Sequence, residues 1–289
     1  MKLGVVFPQL EIGNDPAAIR DYAQAAEGMG FDYLLAYEHV LGANPDRPGG
    51  WSGPYTHESA FHEPFVLFGY LAGLTERLEL GTNILILPQR PAVLVAKQAA
   101  ELDVLCGGRL RLGVGIGWNK VEYDALGYNF HNRGRRCEEQ VALLRALWTQ
   151  PLVTFRGQYH TVEDAGINPL PVQRPIPIWF GGLADAVLRR IARLGDGWMP
   201  NPLPVDRGRA VVERLRGYLA EAGRRVADFG IDVRVSARDL VEDEWLPYVQ
   251  GWRDLGATHA AINTMGAGCA SLDDHLALLR RFQDVMTGL

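Results

Sequence analysis

A regular alternation of short apolar segments with longer helical segments runs through the whole chain and limits its fold more than any other feature. Eight segments are rich in β-branched and apolar residues, and each is followed by a segment of helical character. Eight such units predict an α/β fold, a single (β/α)8 TIM barrel; a doubly wound sheet is the competing fold and would usually need fewer units. The predicted strands cover residues 3–7, 31–36, 77–86, 109–115, 176–180, 197–200, 230–235 and 258–263, and the helices cover 16–28, 64–75, 91–106, 133–148, 184–194, 206–224, 243–254 and 273–286.

Two segments interrupt this alternation, but no linker or change of composition divides the chain, so residues 1–289 are interpreted as one domain. The Gly- and Pro-rich segment 40–63 follows the second strand, and loops of this length usually have a function, so it is predicted to be an active-site loop. The segment 152–175 is predicted to be an insertion before the fifth strand. It begins with a β-hairpin whose turn is placed at Arg156-Gly157 and continues as an extended connector.

Composition and charge exclude several classes of protein. The 29 basic and 34 acidic residues give a net charge of −5, and the basic residues are dispersed, which argues against a nucleic-acid partner. No segment approaches the roughly 20 apolar residues that cross a membrane, and the first residues lack the pattern of a signal peptide. Three distant cysteines, Cys106, Cys137 and Cys269, predict buried thiols in a cytoplasmic protein rather than disulfides or a zinc site.

The residues that directly follow the predicted strands are the candidate site, because a (β/α)8 barrel holds its active site at the carboxyl ends of its strands. These residues are Pro8-Gln9, Tyr37-Glu38-His39, Asn83-Ile84, Gly115-Ile116-Gly117-Trp118, Gly181-Gly182, Met199-Pro200-Asn201 and Asn263-Thr264-Met265.

His39 is the candidate catalytic residue among them. At a strand end, a histidine can exchange protons near neutral pH or hydrogen-bond a cofactor ring, and the alternative is a loop histidine that bonds only to backbone. A metal site is not predicted, because the histidines of His57-Glu58-Ser59-Ala60-Phe61-His62 are five residues apart and do not share a helix face as the histidines of HExxH do.

Two glycine-rich segments could bring the backbone close to a ligand. The run Gly113–Gly117 is not a GxGxxG motif, because Lys120 occupies its last position, yet it allows close approach of a flat ligand. Gly181-Gly182 lies between a strand and a helix N-terminus, which suits a phosphate group. For both segments a tight turn is the alternative explanation.

Several arginines are further candidates for site residues. The clusters Arg133/Arg135/Arg136 and Arg189/Arg190/Arg193 are typical of solvated helix faces, and Arg90 either serves the site or pairs with a neighbouring carboxylate. No nucleophile motif of the GxSxG type occurs, and no cysteine lies beside a candidate base.

Taken together, the strand ends resemble those of the luciferase-like monooxygenase superfamily, and most closely its coenzyme F420-dependent oxidoreductases. The resemblance is carried by GFDYLLAYEHVLG (30–42), by the long stretch 78–127, and by PIPIWFGG (175–182) and GDGWMP (195–200). It is dense over residues 1–200 and extends to the rest of the chain only through the fold.

This resemblance implies a cofactor, F420 or alternatively FMN, with its ring in the mouth of the barrel. It implies a non-prolyl cis peptide at Asn83-Ile84 behind the ring, and it places His39, preceded by Glu38, beside the ring. Gly115, Ile116 and Gly117 would contact the ring or its side chain, and Gly181 and Gly182 would bind the phosphate.

The chain also departs from the family pattern. Trp118 stands where F420-dependent sugar-phosphate dehydrogenases have a proton-donating glutamate, and Val121 replaces their asparagine, so that activity is not expected; Glu122 lies nearby without an assigned role. Val40 follows His39 where flavin-dependent members often have a second histidine, which favours F420.

The predicted function is hydride transfer between F420 and a small organic substrate, with His39 as the proton relay and Trp51, Tyr55 and His57 of the loop on the substrate side. The alternatives are an FMN-dependent monooxygenase that receives reduced flavin from a partner reductase, a non-catalytic flavin-binding protein, and a metal-dependent barrel hydrolase. The family suggests a homodimer.

Overall fold

The computed structural model describes residues 1–289, and its parallel strands close into the predicted α/β barrel. Each barrel strand pairs with its neighbour, and the pairing of the strand at residues 79–82 with the strand at residues 110–115 closes the barrel. The strands at residues 153–156 and 161–165 form a separate antiparallel hairpin outside the barrel sheet. In chain order the strands are β1 (Lys2–Val6), β2 (Tyr33–Ala36), β3 (Glu79–Thr82), β4 (Leu85–Ile86), β5 (Leu110–Gly115), β6 (Val153–Arg156), β7 (Thr161–Ala165), β8 (Ile178–Gly181), β9 (Gly197–Met199), β10 (Gly230–Ser236) and β11 (His259–Asn263).

Helices cover the outside of the barrel, and all eight predicted helices are present. The structure adds one that was not predicted, a helix of six residues after β5 that begins where the Asn119 side chain accepts a hydrogen bond from the N–H of Val121 at 3.0 Å. In chain order the helices are α1 (Pro16–Gly28), α2 (Pro64–Ala72), α3 (Ala92–Leu105), α4 (Lys120–Ala125), α5 (Arg133–Thr149), α6 (Asp185–Leu194), α7 (Val205–Glu221), α8 (Glu242–Asp254) and α9 (Leu272–Met286).

Alternate residues of each strand face the helices or the barrel interior, as the pleat of a strand requires. On β10, the apolar residues Ile231, Val233 and Val235 belong to the main core of 64 buried residues. The polar residues between them, Asp232 and Arg234, are buried inside the barrel. The barrel interior therefore holds polar side chains, whereas the apolar residues of this strand face the helices.

A buried ionic layer fills the barrel at the amino ends of its strands. The guanidinium of Arg111 forms ion pairs with Glu79 at 2.6 Å and with Asp232 at 2.8 Å. It lies between the rings of Tyr33 and Trp179, at 4.7 and 4.5 Å from their centroids. This layer leaves the carboxyl ends of the strands as the open end of the barrel.

Three predictions are corrected by the structure. The hairpin turn covers residues 157–160, not Arg156-Gly157, because Glu139 of α5 accepts the backbone N–H groups of Gln158, Tyr159 and His160 and thereby widens the turn. Arg190 is buried and paired with Glu138 at 3.0 Å, so it does not belong to a solvated face.

The third correction concerns the thiols, since Cys106 and Cys137 are buried but Cys269 is only half-buried. None of the helices has the length and apolar character needed to span a membrane.

Candidate active site

A cavity of about 760 Å³ opens at the carboxyl ends of the barrel strands. Its volume lies within the range of small-molecule and cofactor sites. All nine residues predicted to bind the cofactor or to act in catalysis line it, although they come from four different strand ends: Glu38, His39, Asn83, Ile84, Gly115, Ile116, Gly117, Gly181 and Gly182. The barrel thus brings the predicted residues together.

The third strand is interrupted at the position that the resemblance implied, and the Asn83-Ile84 peptide is cis. The glycines of β5 adapt to this interruption. A Cβ atom on Gly115 would lie 2.5 Å from Cδ1 of Ile84, and one on Gly117, whose φ is +63°, would lie 2.7 Å from Cγ2 of Ile86. Because these two positions carry no side chain, the side chains of Ile84 and Ile86 have room to form part of the cavity wall. A tight turn alone therefore does not explain the two glycines.

Glu38 is buried and connects this interruption to the start of α3. Its carboxylate accepts hydrogen bonds from Nε of Arg90 at 2.8 Å and from the N–H of Ile86 at 2.5 Å. Burial raises the pKa of Glu38, and the charge of Arg90 opposes this increase. Arg90 also pairs with Glu63 at 2.7 Å, so its pairing with carboxylates is confirmed, whereas a contact of Glu38 with a cofactor stays a prediction.

His39 is held by the buried carboxylate of Glu122 on α4. Both carboxylate oxygens lie 3.2 Å from Nδ1, and Oε1 also accepts the N–H of Val40 at 2.7 Å. Burial by itself raises the pKa of Glu122, but the hydrogen bond and charge of His39 and the Val40 N–H outweigh it, and the pKa lies below its usual range. An ionised carboxylate only accepts hydrogen bonds, so Nδ1 carries a proton, and Nε2 makes no hydrogen bond within the protein.

Aromatic side chains surround the His39 imidazole. Its centroid lies 4.8 to 5.6 Å from the rings of Phe61, Tyr55 and Trp118. Trp51 packs on Trp118 at 5.6 Å and donates its Nε1–H to the carbonyl of Tyr55 at 2.8 Å. Residues of the 40–63 segment therefore cover His39 and exclude water from it.

This segment contributes to two cavities. Pro54, Tyr55 and Ser59 line the large cavity. His57 lines a smaller adjoining one of about 160 Å³, which His39 and Trp118 also line. Of the three loop residues predicted on the substrate side, Tyr55 is thus the one whose side chain borders the large cavity.

Gly181 is the last residue of β8, and Gly182 follows it in the short connection that leads to α6. Ala184 precedes this helix and provides no side-chain cap, so the first N–H groups of the helix have no side-chain acceptor. The carboxylate of Asp185, in the first turn of the helix, accepts hydrogen bonds from Tyr218 and Arg189 and does not cap these N–H groups. The end of the cavity beside Gly181-Gly182 therefore offers backbone donors at a helix N-terminus.

The sequence-based prediction missed the residues of the seventh barrel strand. Arg234, Ser236, Arg238 and Asp239 all line the cavity from β10 and the turn after it. The available signal was the alternation of Asp232, Arg234 and Ser236 with apolar residues, which places polar side chains on the inner face. No group of three or more His, Cys, Asp or Glu side chains is arranged to hold a metal ion.

Comparison with known families agrees with this geometry. The model of the luciferase-like monooxygenase family matches residues 1–277. The chain belongs to this family. A relative, an uncharacterised protein of Mycobacterium tuberculosis, is 35% identical over 256 residues, which cover 79% of this luciferase-like chain and 85% of the relative. An FMNH2-dependent dimethylsulfone monooxygenase of Pseudomonas putida is 33% identical over 228 residues, which cover 78% of this chain and 59% of that enzyme.

Solved structures confirm the fold. The monooxygenase RslO1 of Streptomyces bottropensis superimposes with a TM-score of 0.80 at 19% identity, over 100% of this chain and 99% of that one. An F420-dependent secondary alcohol dehydrogenase, solved with an F420-acetone adduct, gives 0.80 at 18% identity, over 99% and 98% of the two chains. The luciferase-like fold of this protein is thus one that both F420-dependent and FMN-dependent oxidoreductases share.

Proposed function

We propose that this luciferase-like protein is an F420-dependent oxidoreductase that transfers a hydride between the cofactor and a small organic substrate. The observation that carries the proposal is that all nine residues of the predicted ring and phosphate site line one cavity. Their positions in sequence are too far apart for this arrangement to follow from local structure.

The residues present fit a flat ring with a phosphorylated side chain. Gly115, Gly117 and Gly181 leave room for the side chains of Ile84 and Ile86, which form the part of the cavity wall against which the ring would lie. Gly182 and the beginning of α6 would hold the phosphate. Bound F420 would supply C5 of its deazaflavin ring as the hydride donor or acceptor.

His39 provides the proton that hydride transfer requires. Reduction of a substrate carbonyl forms a C–H bond from the hydride and an O–H bond from a proton, and the reverse reaction releases both. The Nδ1–H of His39 is fixed by Glu122, which leaves Nε2 to give or take the proton. Tyr55, Phe61 and Trp118 pack around the imidazole and hold it in place.

A titration of the purified apoprotein with F420 and with FMN in parallel, read by tryptophan fluorescence, tests the proposal. We expect F420 to bind with micromolar or tighter affinity and FMN more weakly. His39→Ala should bind the cofactor as the wild type does but lose turnover. Unchanged turnover in this variant would mean that His39 has no catalytic role, whereas cofactor binding without turnover in the wild type would indicate a non-catalytic cofactor-binding protein.

A second candidate function is an FMN-dependent monooxygenase that receives reduced flavin from a partner reductase and uses O2 as its second substrate. The similarity to the FMNH2-dependent dimethylsulfone monooxygenase favours it. Tight FMN binding with weak F420 binding would support this function. A homodimer, which the resemblance implies, and a cytoplasmic location, which the cysteine pattern predicts, belong to either proposal. Sedimentation of the purified protein tests the first and cell fractionation the second.

A further inference from the structure

Arg234 is a buried cation for which the protein supplies no counter-ion. It lies on the inner face of β10 with 4% of its surface exposed, and its guanidinium lines the large cavity. Its one hydrogen bond within the protein runs from Nη1 to Oδ1 of Asn83 at 3.4 Å, close to the limit for such a bond. No carboxylate lies within ion-pair distance of it.

Arg234 is exceptional among the charged side chains of the cavity wall. Each of the others has a partner within the protein: Glu38 pairs with Arg90, His39 with Glu122 and Arg238 with Asp239, and Glu11 accepts the N–H of Gly266. The positive charge of Arg234 is thus the one that the wall leaves unpaired.

Arg111 in the layer below provides the contrast. It is also 4% exposed, but it has two carboxylate partners and two aromatic rings beside it. Asp232, two residues before Arg234 on the same strand, is already used by Arg111 and by the hydroxyl of Tyr33. A buried charge without a partner is unfavourable, and its presence in a cavity is accounted for by a ligand that brings the opposite charge.

We propose that Arg234 recognises an oxyanion of the substrate, of the carboxylate or sulfonate class. A guanidinium binds such planar or trigonal oxyanions through two parallel hydrogen bonds. The inference rests on the proposed function, since it adds the substrate class to the same cavity.

Two further polar residues of the cavity wall, close to Arg234, can bind the same oxyanion. Tyr37 and Asn263 lie at the ends of β2 and β11 and line the cavity, with Nδ2 of Asn263 3.5 Å from the Tyr37 hydroxyl. Burial raises the pKa of Tyr37 to about 12, so its hydroxyl stays protonated and can donate to an oxyanion. Around the barrel β10 is two strands from β8, and Asn83 is one of the residues predicted to bind the cofactor, so the effect of Arg234 on F420 affinity has to be measured beside its effect on anion binding.

Calorimetric titrations with charged and uncharged analogues test the inference. The probes are butyrate against butyramide and ethanesulfonate against ethanesulfonamide, each added to the apoprotein and to the cofactor-loaded protein. We expect the anion of at least one pair to bind about 10- to 100-fold more tightly than its amide. Arg234→Met should abolish this preference, and Arg234→Lys should retain part of it because the charge stays and the two parallel donors are lost.

Thermal unfolding of the apoprotein separates recognition from a structural role. Removal of an unpaired buried charge should leave the Tm of Arg234→Met unchanged or higher, whereas Arg111→Met, the matched control, should lower the Tm because it leaves the buried Asp232 carboxylate without its cation. A decrease in the Tm of Arg234→Met as large as that of Arg111→Met would overturn the inference.

Two further results would also overturn it: no preference for anions in the wild type, or an undiminished preference in Arg234→Met. If the undiminished preference came with a tenfold loss of F420 affinity, Arg234 would be assigned to the cofactor ring. Failure of the proposed function is seen separately, as wild-type protein that binds neither F420 nor FMN. In that case the comparison of anion and amide on the apoprotein still decides the role of Arg234.

Discussion

Glu122 and His39 form a buried carboxylate–imidazole pair at the open end of the barrel, with both carboxylate oxygens 3.2 Å from Nδ1. The same carboxylate accepts the N–H of Val40, the first residue of the active-site loop. One side chain therefore fixes both the tautomer of the histidine and the start of the loop that covers it. We regard Glu122 as a positioning residue for His39.

Glu122→Gln should impair turnover without impairing cofactor binding. Its amide oxygen can still accept the Val40 N–H, but its NH2 group can donate to Nδ1 and thereby favour the opposite tautomer of His39. We expect turnover to fall roughly 100-fold or more, and ¹⁵N NMR of the imidazole should show the proton moved from Nδ1 to Nε2.

His39→Ala is the control for this pair, because two residues that act in one step do not have additive effects. The double variant should be no slower than His39→Ala alone. Wild-type turnover in Glu122→Gln would contradict the positioning role.

Gly115→Ala should weaken cofactor binding. The new Cβ would lie 2.5 Å from Cδ1 of Ile84 and would force that side chain to move within the cavity. We expect a loss of affinity of about tenfold or more, with a decrease of about 1–3 kcal/mol in the free energy of unfolding. Parallel fluorescence and urea titrations measure both quantities.

Gly217→Ala is the matched control. Gly217 lies inside α7, and its added Cβ would meet no atom within 4 Å. It should bind the cofactor normally and gain up to about 1 kcal/mol in stability, because alanine favours a helix. Equal affinities in the two glycine variants would argue against a ring site at Gly115.

Arg90→Met should destabilise the protein by about 3–5 kcal/mol, since it leaves the buried Glu38 carboxylate without its cation. Glu38→Gln in the same chain removes the unpaired charge, and its amide oxygen can still accept the Ile86 N–H. The double variant should therefore be more stable than Arg90→Met alone in urea unfolding. If the double variant is less stable, the two side chains do not act as a pair.

The predicted site residues converge because a parallel barrel brings the carboxyl ends of all its strands to one end. Once the strands were recognised from their apolar runs, Glu38, Asn83, Gly115 and Gly181 had to lie near one another. The cis peptide at Asn83-Ile84 came from the family resemblance, since no local pattern of residue types announces it.

The contact between Glu122 and His39 could not be predicted in the same way. The two residues are 83 positions apart, and α4 is too short for its helical periodicity to be visible. The one local signal was Asn119 three residues before Glu122, which is typical of a helix start. Arg234 was missed because its inward orientation depends on the register of β10, and register is a property of the whole barrel.

His259 should make stability depend on pH. It lies at the start of β11 between the rings of Tyr33 and Trp179, 5.4 and 5.0 Å away. The pKa of His259 is lowered from a usual value of 6.5 to about 4. Burial is the larger cause and the positive charge of Arg111 the second. As the pH falls through this interval, the unfolded chain binds a proton that the folded protein does not, so the folded state loses stability.

His259→Phe keeps a ring between Tyr33 and Trp179 but removes the titration. The free energy of unfolding should fall between about pH 7 and about pH 4.5 in both proteins, and in His259→Phe the decrease should be about 2–3 kcal/mol smaller than in the wild type. Urea denaturation across that range measures both decreases. His131→Phe, which changes an exposed histidine, should follow the wild-type curve. Parallel curves for the wild type and His259→Phe would mean that the pKa of His259 is the same in the folded protein as in the unfolded chain.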